Sequence, residues 1–187
     1  MNNPKILVYA GPNGSGKSTI TKGQPITGVY VNADDIKHHR GCTDLEAAIE
    51  AEAIRENFLS LKKNFTFETV LSTDRNLILL KKAKKLGYSI HVVFVLTADV
   101  ELNVKRVKTR QIKGGHDVPE DKIRSRYKKS LLMIKRLAKT TDFLIIVDNT
   151  IRPEIIYKKD KDGEVILPNE LWKEKAIKDL LLGFLAF

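Results

Sequence analysis

The chain has 187 residues with a net charge of +10, and 42% of its residues are hydrophobic and 30% charged. This size and composition predict one globular domain over 1–187 that needs neither disulfides nor structural metal to bury a core. The single cysteine, Cys42, excludes an intrachain disulfide and fits a reducing cytoplasm. We expect no leader segment, and no stretch approaches the ~20 apolar residues of a membrane span, so no membrane contact is expected.

The first predicted element is a strand, Lys5–Ala10, which runs directly into a glycine-rich turn and a helix. The turn has the Walker A spacing, two glycines five positions apart followed by Lys17 and Ser18. Its backbone N–H groups and the helix N-terminus are expected to cradle phosphates, while the lysine reaches the β- and γ-phosphates and the serine hydroxyl ligates Mg²⁺. The predicted ATP-binding residues are Gly11, Pro12, Asn13, Gly14, Ser15, Gly16, Lys17, Ser18 and Thr19.

Several classes of P-loop protein are excluded by motifs that the sequence lacks. It has no Asn-Lys-x-Asp segment to select guanine, and no Leu-Ser-Gly-Gly signature of transport ATPases. No hydrophobic strand ends in the Asp-Glu pair of a motor ATPase. The remaining group is the small kinases, in which acids at neighbouring strand ends handle the acceptor and basic residues close over the phosphates.

Two acidic stretches follow the next predicted strands. Asp34 and Asp35 come after the strand within Gly28–Ala33, and Glu68 lies near the end of the strand Phe65–Thr69. Because the carboxyl ends of parallel strands share one edge of a sheet, these acids should face the P-loop. They can orient an acceptor hydroxyl and take its proton, or help to hold Mg²⁺. The alternatives are a helix-capping role for the aspartates and plain solvent exposure for Glu68.

Helices are predicted between the strands from apolar residues at helical spacing. One begins at the capping-box pair Thr43 and Glu46, and another ends at Gly87. A third ends at Gly114 and a fourth starts at Pro119. Their expected inner faces are Ala47, Ala51, Ile54, Phe58 and Leu61; Leu79, Ala83 and Leu86; Val100, Val104 and Val107; and Ile123, Tyr127, Ile134 and Leu137.

The third and fourth of these helices form a basic segment that resembles a kinase lid. Residues 101–139 contain thirteen Lys/Arg and four Asp/Glu. Guanidinium groups match phosphate oxygens in bidentate fashion, so one or two arginines of this segment should clamp the transferring phosphoryl group. The candidates are Arg106, Arg110, Arg124 and Arg126, and His116 is a candidate for contact with substrate.

Two further strands complete the predicted sheet, Ser89–Leu96 and the strand within Phe143–Asn149. Strands alternating with helices predict an α/β fold, a five-stranded parallel sheet covered by helices on both faces. After Pro153 the pattern changes to a hairpin that turns at Asp162-Gly163, followed by a helix from about Pro168. The predicted fold is therefore a P-loop kinase with a C-terminal extension over 151–187.

Taken together, the motifs resemble the zeta toxin family. The matching segments are AGPNGSGKST, VNADDI, FETVLS, the lid segment NVKRVKTR with GGHDVPEDKIRSRY, and VDN at Val147–Asn149. The resemblance implies an ATP- and Mg²⁺-dependent kinase that phosphorylates the sugar of UDP-N-acetylglucosamine and is held in check by an antitoxin. It assigns Asp34 as the acceptor-side base, Glu68 as a substrate-binding acid, and Arg110 and Arg126 as phosphate-clamping arginines. The sequence departs from the toxins in having Thr69-Val70 after the acid where they often have Gly-Thr.

Two other functions stay open from the residues alone. One is a kinase of another hydroxyl, on a nucleoside, a nucleotide or a nucleic-acid end, since a basic lid attracts any polyanion. Nucleic acid is less favoured than a small anion, because the lid lacks the interleaved aromatic residues of a single-strand binding platform. The other is a non-catalytic module that binds ATP and acts through a partner.

Overall fold

The computed structural model describes residues 3–115 and 117–184 of the chain. Its centre is a sheet of seven strands in the order β2-β3-β1-β4-β5-β6-β7. The strands are β1 (Lys5–Ala10), β2 (Val29–Val31), β3 (Phe65–Thr69), β4 (Ser89–Leu96), β5 (Phe143–Asp148), β6 (Glu154–Asp160) and β7 (Gly163–Ile166). The first five pair in parallel, whereas β6 and β7 are antiparallel to their neighbours.

The order of the parallel strands places the P-loop at a reversal of chain direction. From β1 the chain moves to one side to form β2 and β3, and later crosses to the other side of β1 to form β4 and β5. Ligands of open α/β sheets bind at such a reversal, outside the carboxyl ends of the strands. The predicted α/β fold and all five parallel strands are therefore confirmed, and the hairpin extends the sheet to seven strands.

Eight helices are present within the described residues, most of them where the apolar spacing predicts them. Their bounds are α1 (Lys17–Thr21), α2 (Ala33–Arg40), α3 (Asp44–Ser60), α4 (Asp74–Lys85), α5 (Val100–Ile112), α6 (Glu120–Leu132), α7 (Ile134–Thr140) and α8 (Glu174–Leu182). The predicted fourth helix is divided at Met133 into α6 and α7. The predicted capping box of α3 is present, with both of its hydrogen bonds formed.

The buried face of α3 follows the predicted stripe with two differences. Ala47 and Ala51 are buried, and Ile54 and Phe58 pack partly buried against the core, as expected. Leu61 lies just past the helix and is exposed, while Leu59 and Arg55 are buried. The guanidinium of Arg55 lies 5.0 Å from the centre of the Phe67 ring, a cation–π geometry that lets a cation occupy an apolar face. A charged residue thus shares the inner face of α3 with the predicted apolar stripe.

The C-terminal segment differs from the prediction in two details. The hairpin turns through Lys161-Asp162, since Asp160 pairs with Gly163, so the turn lies one residue earlier than predicted. The final helix begins at Glu174 and not at about Pro168. The reason is a local turn: the side-chain oxygen of Asn169 accepts hydrogen bonds from the backbone N–H groups of Leu171 and Trp172 and so delays the helix.

The apolar core joins the parallel sheet to the C-terminal segment. Its main cluster takes alternate residues of β1 and β4, and it includes Ile156, Tyr157, Trp172, Ile177 and Leu180 from β6, α8 and the link between β7 and α8. A second cluster, between α5 and α6, comprises Val104, Val107, Val118 and Ile123. Within the described ranges there is no helix with the length and apolarity that a membrane span requires.

Candidate active site

A cleft of about 660 Å³ opens at the carboxyl ends of β1, β2 and β3. It brings together the P-loop and all the acids predicted for the acceptor side except Asp35. Of the predicted residues it is lined by Asn13, Gly14, Gly16, Lys17, Ser18, Thr19, Asp34, Glu68, Arg106 and Arg110. Gly11, Pro12 and Ser15 are buried behind it, Arg126 lies on α6 outside its lining, and His116 falls outside the described residues.

The P-loop is packed so closely that a Cβ on any of its three glycines would clash, at Gly11 with the carbonyl oxygen of Val95 at 2.0 Å. A Cβ at Gly14 would lie 2.4 Å from the carbonyl oxygen of Asn103, and one at Gly16 would lie 2.3 Å from the side-chain nitrogen of Asn149. Both glycines also have positive φ, 77° and 90°. These contacts with α5 and the end of β5 determine the course of the loop.

Two asparagines hold the P-loop by hydrogen bonds to its carbonyl groups. Asn103 Nδ2 donates to the carbonyl of Asn13 at 2.7 Å, and Asn149 Nδ2 donates to the carbonyl of Ser15 at 2.8 Å. These two bonds fix the backbone of the P-loop through the carbonyls of Asn13 and Ser15. We did not predict a role for either residue, although Asn149 belongs to the VDN segment. Asn103 could have been noticed as a polar residue beside the apolar stripe of α5.

Lys17 lies at the centre of the cleft, with its Nζ donating to the Pro12 carbonyl at 3.0 Å. Burial lowers the pKa of Lys17 to about 8, although the nearby carboxylates of Glu68 and Asp34 act in the opposite direction. A desolvated ammonium with one carbonyl partner has donors left for phosphate oxygens. The position suits its predicted contact with the β- and γ-phosphates.

Glu68 faces the P-loop directly. Its Oε2 accepts a hydrogen bond from Ser18 Oγ at 3.0 Å, and its Oε1 accepts one from Tyr30 OH at 2.6 Å. Burial, together with the bond to Glu68, raises the pKa of Tyr30, so this phenol stays a donor. The glutamate is thus held by β2 and placed beside the hydroxyl predicted to ligate Mg²⁺. The hydroxyl oxygen of Ser18 and the carboxylate oxygen of Glu68 are both hard oxygen ligands of the kind that Mg²⁺ prefers.

Asp34 lies on the same side of the cleft, in the first turn of α2. The helix is capped by Asn32, whose side-chain oxygen accepts from the Asp34 N–H at 3.0 Å. The alternative that Asp34 or Asp35 caps this helix is therefore wrong, because Asn32 precedes both and already makes that bond. The Asp34 carboxylate lines the cleft, whereas Asp35 lines a separate pocket between α2, α3 and β2.

The four lid arginines have different surroundings. Arg106 donates to the carbonyls of Asn149 and Thr150 at 2.9 and 3.1 Å, which ties α5 to the end of β5. Arg124 forms an ion pair with Glu101 that joins α6 to α5, and a second pair with Glu120 within α6 itself. Arg110 is exposed and lines the cleft one turn beyond Arg106. Arg106 lines the cleft as well, but its guanidinium is engaged with these two carbonyls, so Arg110 is the lid arginine best placed to meet a phosphate.

Comparison with known proteins decides the family. The sequence model of the zeta toxin family matches residues 30–170, about three quarters of the chain. The chain belongs to the zeta toxin family. One relative is an uncharacterized protein of Haemophilus influenzae, 30% identical over 129 residues, which span 66% of this chain and 92% of that protein.

Solved structures share the fold of this zeta toxin family member at low sequence identity. One comes from the PezAT chromosomal toxin–antitoxin system of Streptococcus pneumoniae, with a TM-score of 0.61 and 17% identity over 98% of this chain and 85% of that chain. Another is AvrRxo1-ORF1:-ORF2 with ATP, with a TM-score of 0.74 and 12% identity over 98% of this chain and 65% of that chain. A putative kinase of Chloroflexus aurantiacus aligns with a TM-score of 0.54 and 12% identity over 80% and 90% of the two chains.

The family and the fold together support an ATP-dependent kinase. The P-loop kinase fold is shared with these structures, and the sequence family is the one that the motifs predicted. Neither comparison identifies the acceptor.

Proposed function

We propose that this protein transfers the γ-phosphoryl group of ATP to a hydroxyl of a sugar nucleotide such as UDP-N-acetylglucosamine. The observation that carries the proposal is the shared cleft: Lys17 of the P-loop, the carboxylates of Asp34 and Glu68, and the cationic Arg110 all line one space. Its volume of about 660 Å³ lies in the range of small-molecule sites. A protein that only held ATP would need Lys17 and ligands for Mg²⁺, but it would not need the further carboxylate of Asp34.

The proposed reaction is an in-line displacement at the γ-phosphorus. Asp34 orients the acceptor hydroxyl and takes its proton while a new bond forms between the acceptor oxygen and the γ-phosphorus. The bond from that phosphorus to the β–γ bridging oxygen breaks, which leaves ADP. Lys17 offsets the charge on the β- and γ-phosphates, and Arg110 meets the equatorial oxygens of the group in transfer.

The residues present fit the Mg²⁺ that such a kinase uses. Ser18 Oγ and Glu68 Oε2 lie 3.0 Å apart and would hold the ion, the serine directly and the glutamate directly or through water. When bound, Mg²⁺ supplies positive charge to the β- and γ-phosphate oxygens. The role of Glu68 is thereby extended from the substrate-binding acid that the resemblance implies to a residue beside the metal.

A sugar nucleotide suits the charge of the cleft. Its diphosphate needs cations beyond those that meet ATP, and the basic segment of α5 and α6 is their proposed source, with Arg110 of α5 lining the cleft. We assign Arg126 to a phosphate contact, as the family resemblance suggests, and keep His116 as the candidate for contact with substrate. The toxin role and an antitoxin partner are part of the same proposal, supported by family membership and by the fold shared with PezAT. Such a kinase would act in the cytoplasm, where ATP is supplied.

A labelling experiment tests the acceptor. The protein is incubated with γ-labelled ATP, Mg²⁺ and, in separate reactions, UDP-N-acetylglucosamine, nucleosides and oligonucleotides with 5′-hydroxyl ends. We expect label only in the sugar nucleotide and none with Lys17→Ala, which loses the phosphate contact. Label only in nucleosides or oligonucleotides would replace the proposed acceptor class. ATP binding with no label in any acceptor would favour the non-catalytic module.

A further inference from the structure

Four buried polar side chains connect the P-loop to the opposite wall of the cleft. They are Thr97 at the end of β4, Asn103 on α5, and Tyr127 and Ser130 on α6, each at most 5% exposed. None of them lines the cleft. Buried polar groups of this kind are stable only when they are hydrogen-bonded, so their partners indicate what they hold in place.

On the nucleotide side, the hydrogen bonds run from the P-loop to α6. Asn103 donates to the carbonyl of Asn13 at 2.7 Å and accepts a hydrogen bond from the hydroxyl of Thr97. The carbonyl of Thr97 in turn accepts from Tyr127 OH at 2.6 Å. Burial raises the pKa of Tyr127 to about 12, so the phenol stays protonated and keeps donating. Because Asn103 uses its donor on one side and its acceptor on the other, neither Asp nor Leu could replace it.

On the acceptor side, the same helix holds the segment that follows Glu68. Ser130, one turn beyond Tyr127, donates to the carbonyl of Val70 at 2.7 Å. Val70 lines the cleft, and the next residue, Leu71, is buried with a positive φ of 52°. A buried leucine in this conformation is strained and persists only when its surroundings enforce it. The bond from Ser130 is one such constraint.

We propose that α6 positions the two walls of the cleft relative to each other, with Tyr127 and Ser130 as its positioning residues. Both hydroxyls lie on the inner face of one helix, three residues apart, so a shift of the P-loop that moves Asn103 is passed through Tyr127 to Ser130 and the Val70 carbonyl. The inference rests on the proposed function only in requiring that the P-loop binds ATP. It goes beyond that function in assigning the coupling to residues that touch neither substrate.

A direct route between the walls exists as well, and the test has to separate the two. Ser18 donates to Glu68, and the Gly11 N–H donates to the Thr69 carbonyl at 3.2 Å. Removing a hydroxyl from α6 leaves both of these bonds in place. Any coupling lost in such a variant therefore belongs to the route through α6.

Hydrogen–deuterium exchange of the full chain, with and without saturating MgATP, provides the test and requires no acceptor. In the wild-type protein ATP should slow exchange in the P-loop and also, by about fivefold or more, in the segment 69–73. In Tyr127→Phe and in Ser130→Ala the P-loop should remain protected while the effect on 69–73 falls to less than half. Tyr127→Phe removes a single hydroxyl and keeps the experiment interpretable if Ser130→Ala folds poorly.

Two matched variants control for a general loss of stability. Tyr88→Phe removes a buried phenol that donates to the carbonyls of Phe58 and Lys63, and Thr141→Val removes a buried hydroxyl that donates to the Leu137 carbonyl. Both should keep the full ATP effect on 69–73. The proposal is overturned if the two α6 variants keep it too, if the controls also lose it, or if ATP protects the wild-type P-loop without affecting 69–73. A wild-type P-loop that ATP does not protect overturns the proposed function, and this inference with it.

Discussion

Lys17 is the residue whose electrostatics respond most directly to the nucleotide. Its pKa is lowered to about 8 by burial in the ligand-free cleft, and phosphates beside it should return the pKa towards or above 10.5. ATP binding should therefore take up protons, with no uptake below about pH 7 and a maximum between about pH 8 and 10.5. Calorimetric titration with MgATP at pH 8.5, in buffers of different ionisation enthalpy, measures this uptake.

Lys17→Arg is the control for this uptake, because it keeps a cation that does not titrate in this range. Equal proton uptake by the two proteins would contradict the assignment to Lys17. The same shift affects stability: the unfolded chain holds the proton up to about pH 10.5 and the folded chain only to about 8, so the ligand-free protein should gain stability as the pH rises through this window.

The cap of α2 gives a second prediction at the scale of single residues. Since the side chain of Asn32 bonds the Asp34 N–H, Asn32→Ala should lower the free energy of unfolding by about 1 kcal/mol. Asp35→Asn should change it by no more than about 0.5 kcal/mol, because Asp35 caps nothing. Urea denaturation of both variants measures the difference. If Asp35→Asn lost more stability than Asn32→Ala, Asp35 and not Asn32 would be the residue that caps α2.

Residues with a motif could be predicted from the sequence, and residues that support them mostly could not. The Walker A spacing identifies Lys17 and Ser18 without any knowledge of the fold. Asn103 and Asn149 act through hydrogen bonds to carbonyls of the P-loop that are 90 and 134 residues away in sequence. Such contacts depend on how α5 and β5 are placed, and a pattern of residue types does not contain that information.

At the scale of elements, α5 carries two arginines one turn apart with different expected roles. Arg106 makes two charge-assisted hydrogen bonds to carbonyls at the end of β5, so Arg106→Ala should lower the free energy of unfolding by about 2 kcal/mol. Arg110 is exposed at the cleft, so Arg110→Ala should cost little stability and reduce turnover more than tenfold. Thermal unfolding and phosphoryl-transfer rates of the two variants separate these effects. If Arg110→Ala lost the stability and Arg106→Ala lost the turnover, Arg106 would be the phosphate-binding residue and Arg110 the structural one.

Strands were more predictable than helix ends in this chain. The runs of β-type residues predicted the bounds of β1, β3 and β4 without error, because a central parallel strand is largely buried on both faces and stands out as a short apolar run. The start of α8 was missed because the side chain of Asn169 forms a turn, and the burial of Arg55 on α3 was missed because its partner is the aromatic ring of Phe67. In both cases a polar side chain found a partner that the apolar pattern does not reveal.

At the scale of the whole molecule, we propose that residues 1–187 form one domain that includes the C-terminal extension. The strand β6 pairs with β5 along its length, and Asn169 donates to the buried carboxylate of Asp148 at 2.9 Å. Ile156, Tyr157, Ile177 and Leu180 belong to the main apolar cluster. The extension therefore completes the core behind the cleft.

Deletion of residues 151–187 tests that proposal. The shortened chain exposes the edge of β5 and several large apolar side chains. Burial of each such side chain contributes about 1.5–3 kcal/mol, so the combined loss is comparable to the whole free energy of unfolding of a typical domain. We expect it to be unfolded or aggregated by circular dichroism and gel filtration. A monomeric 1–150 fragment that unfolds cooperatively and binds ATP would show that the extension is a separate unit.

The carboxylate of Asp34 distinguishes a kinase from a protein that only holds ATP, so the proposed function depends most directly on this residue. Asp34→Asn keeps the shape of the side chain and removes the charge and the proton acceptor. Positioning and base catalysis together are worth roughly a hundredfold or more in rate, whereas ATP is held by the P-loop and Lys17. The decisive measurement is the rate of labelled phosphoryl transfer to UDP-N-acetylglucosamine by wild-type protein and Asp34→Asn at matched ATP occupancy. We predict that the wild type transfers the label and that the variant does so at least a hundredfold more slowly, with near-equal ATP affinity and melting temperature. Equal transfer rates for the two proteins would contradict the role of Asp34 and the proposed kinase mechanism.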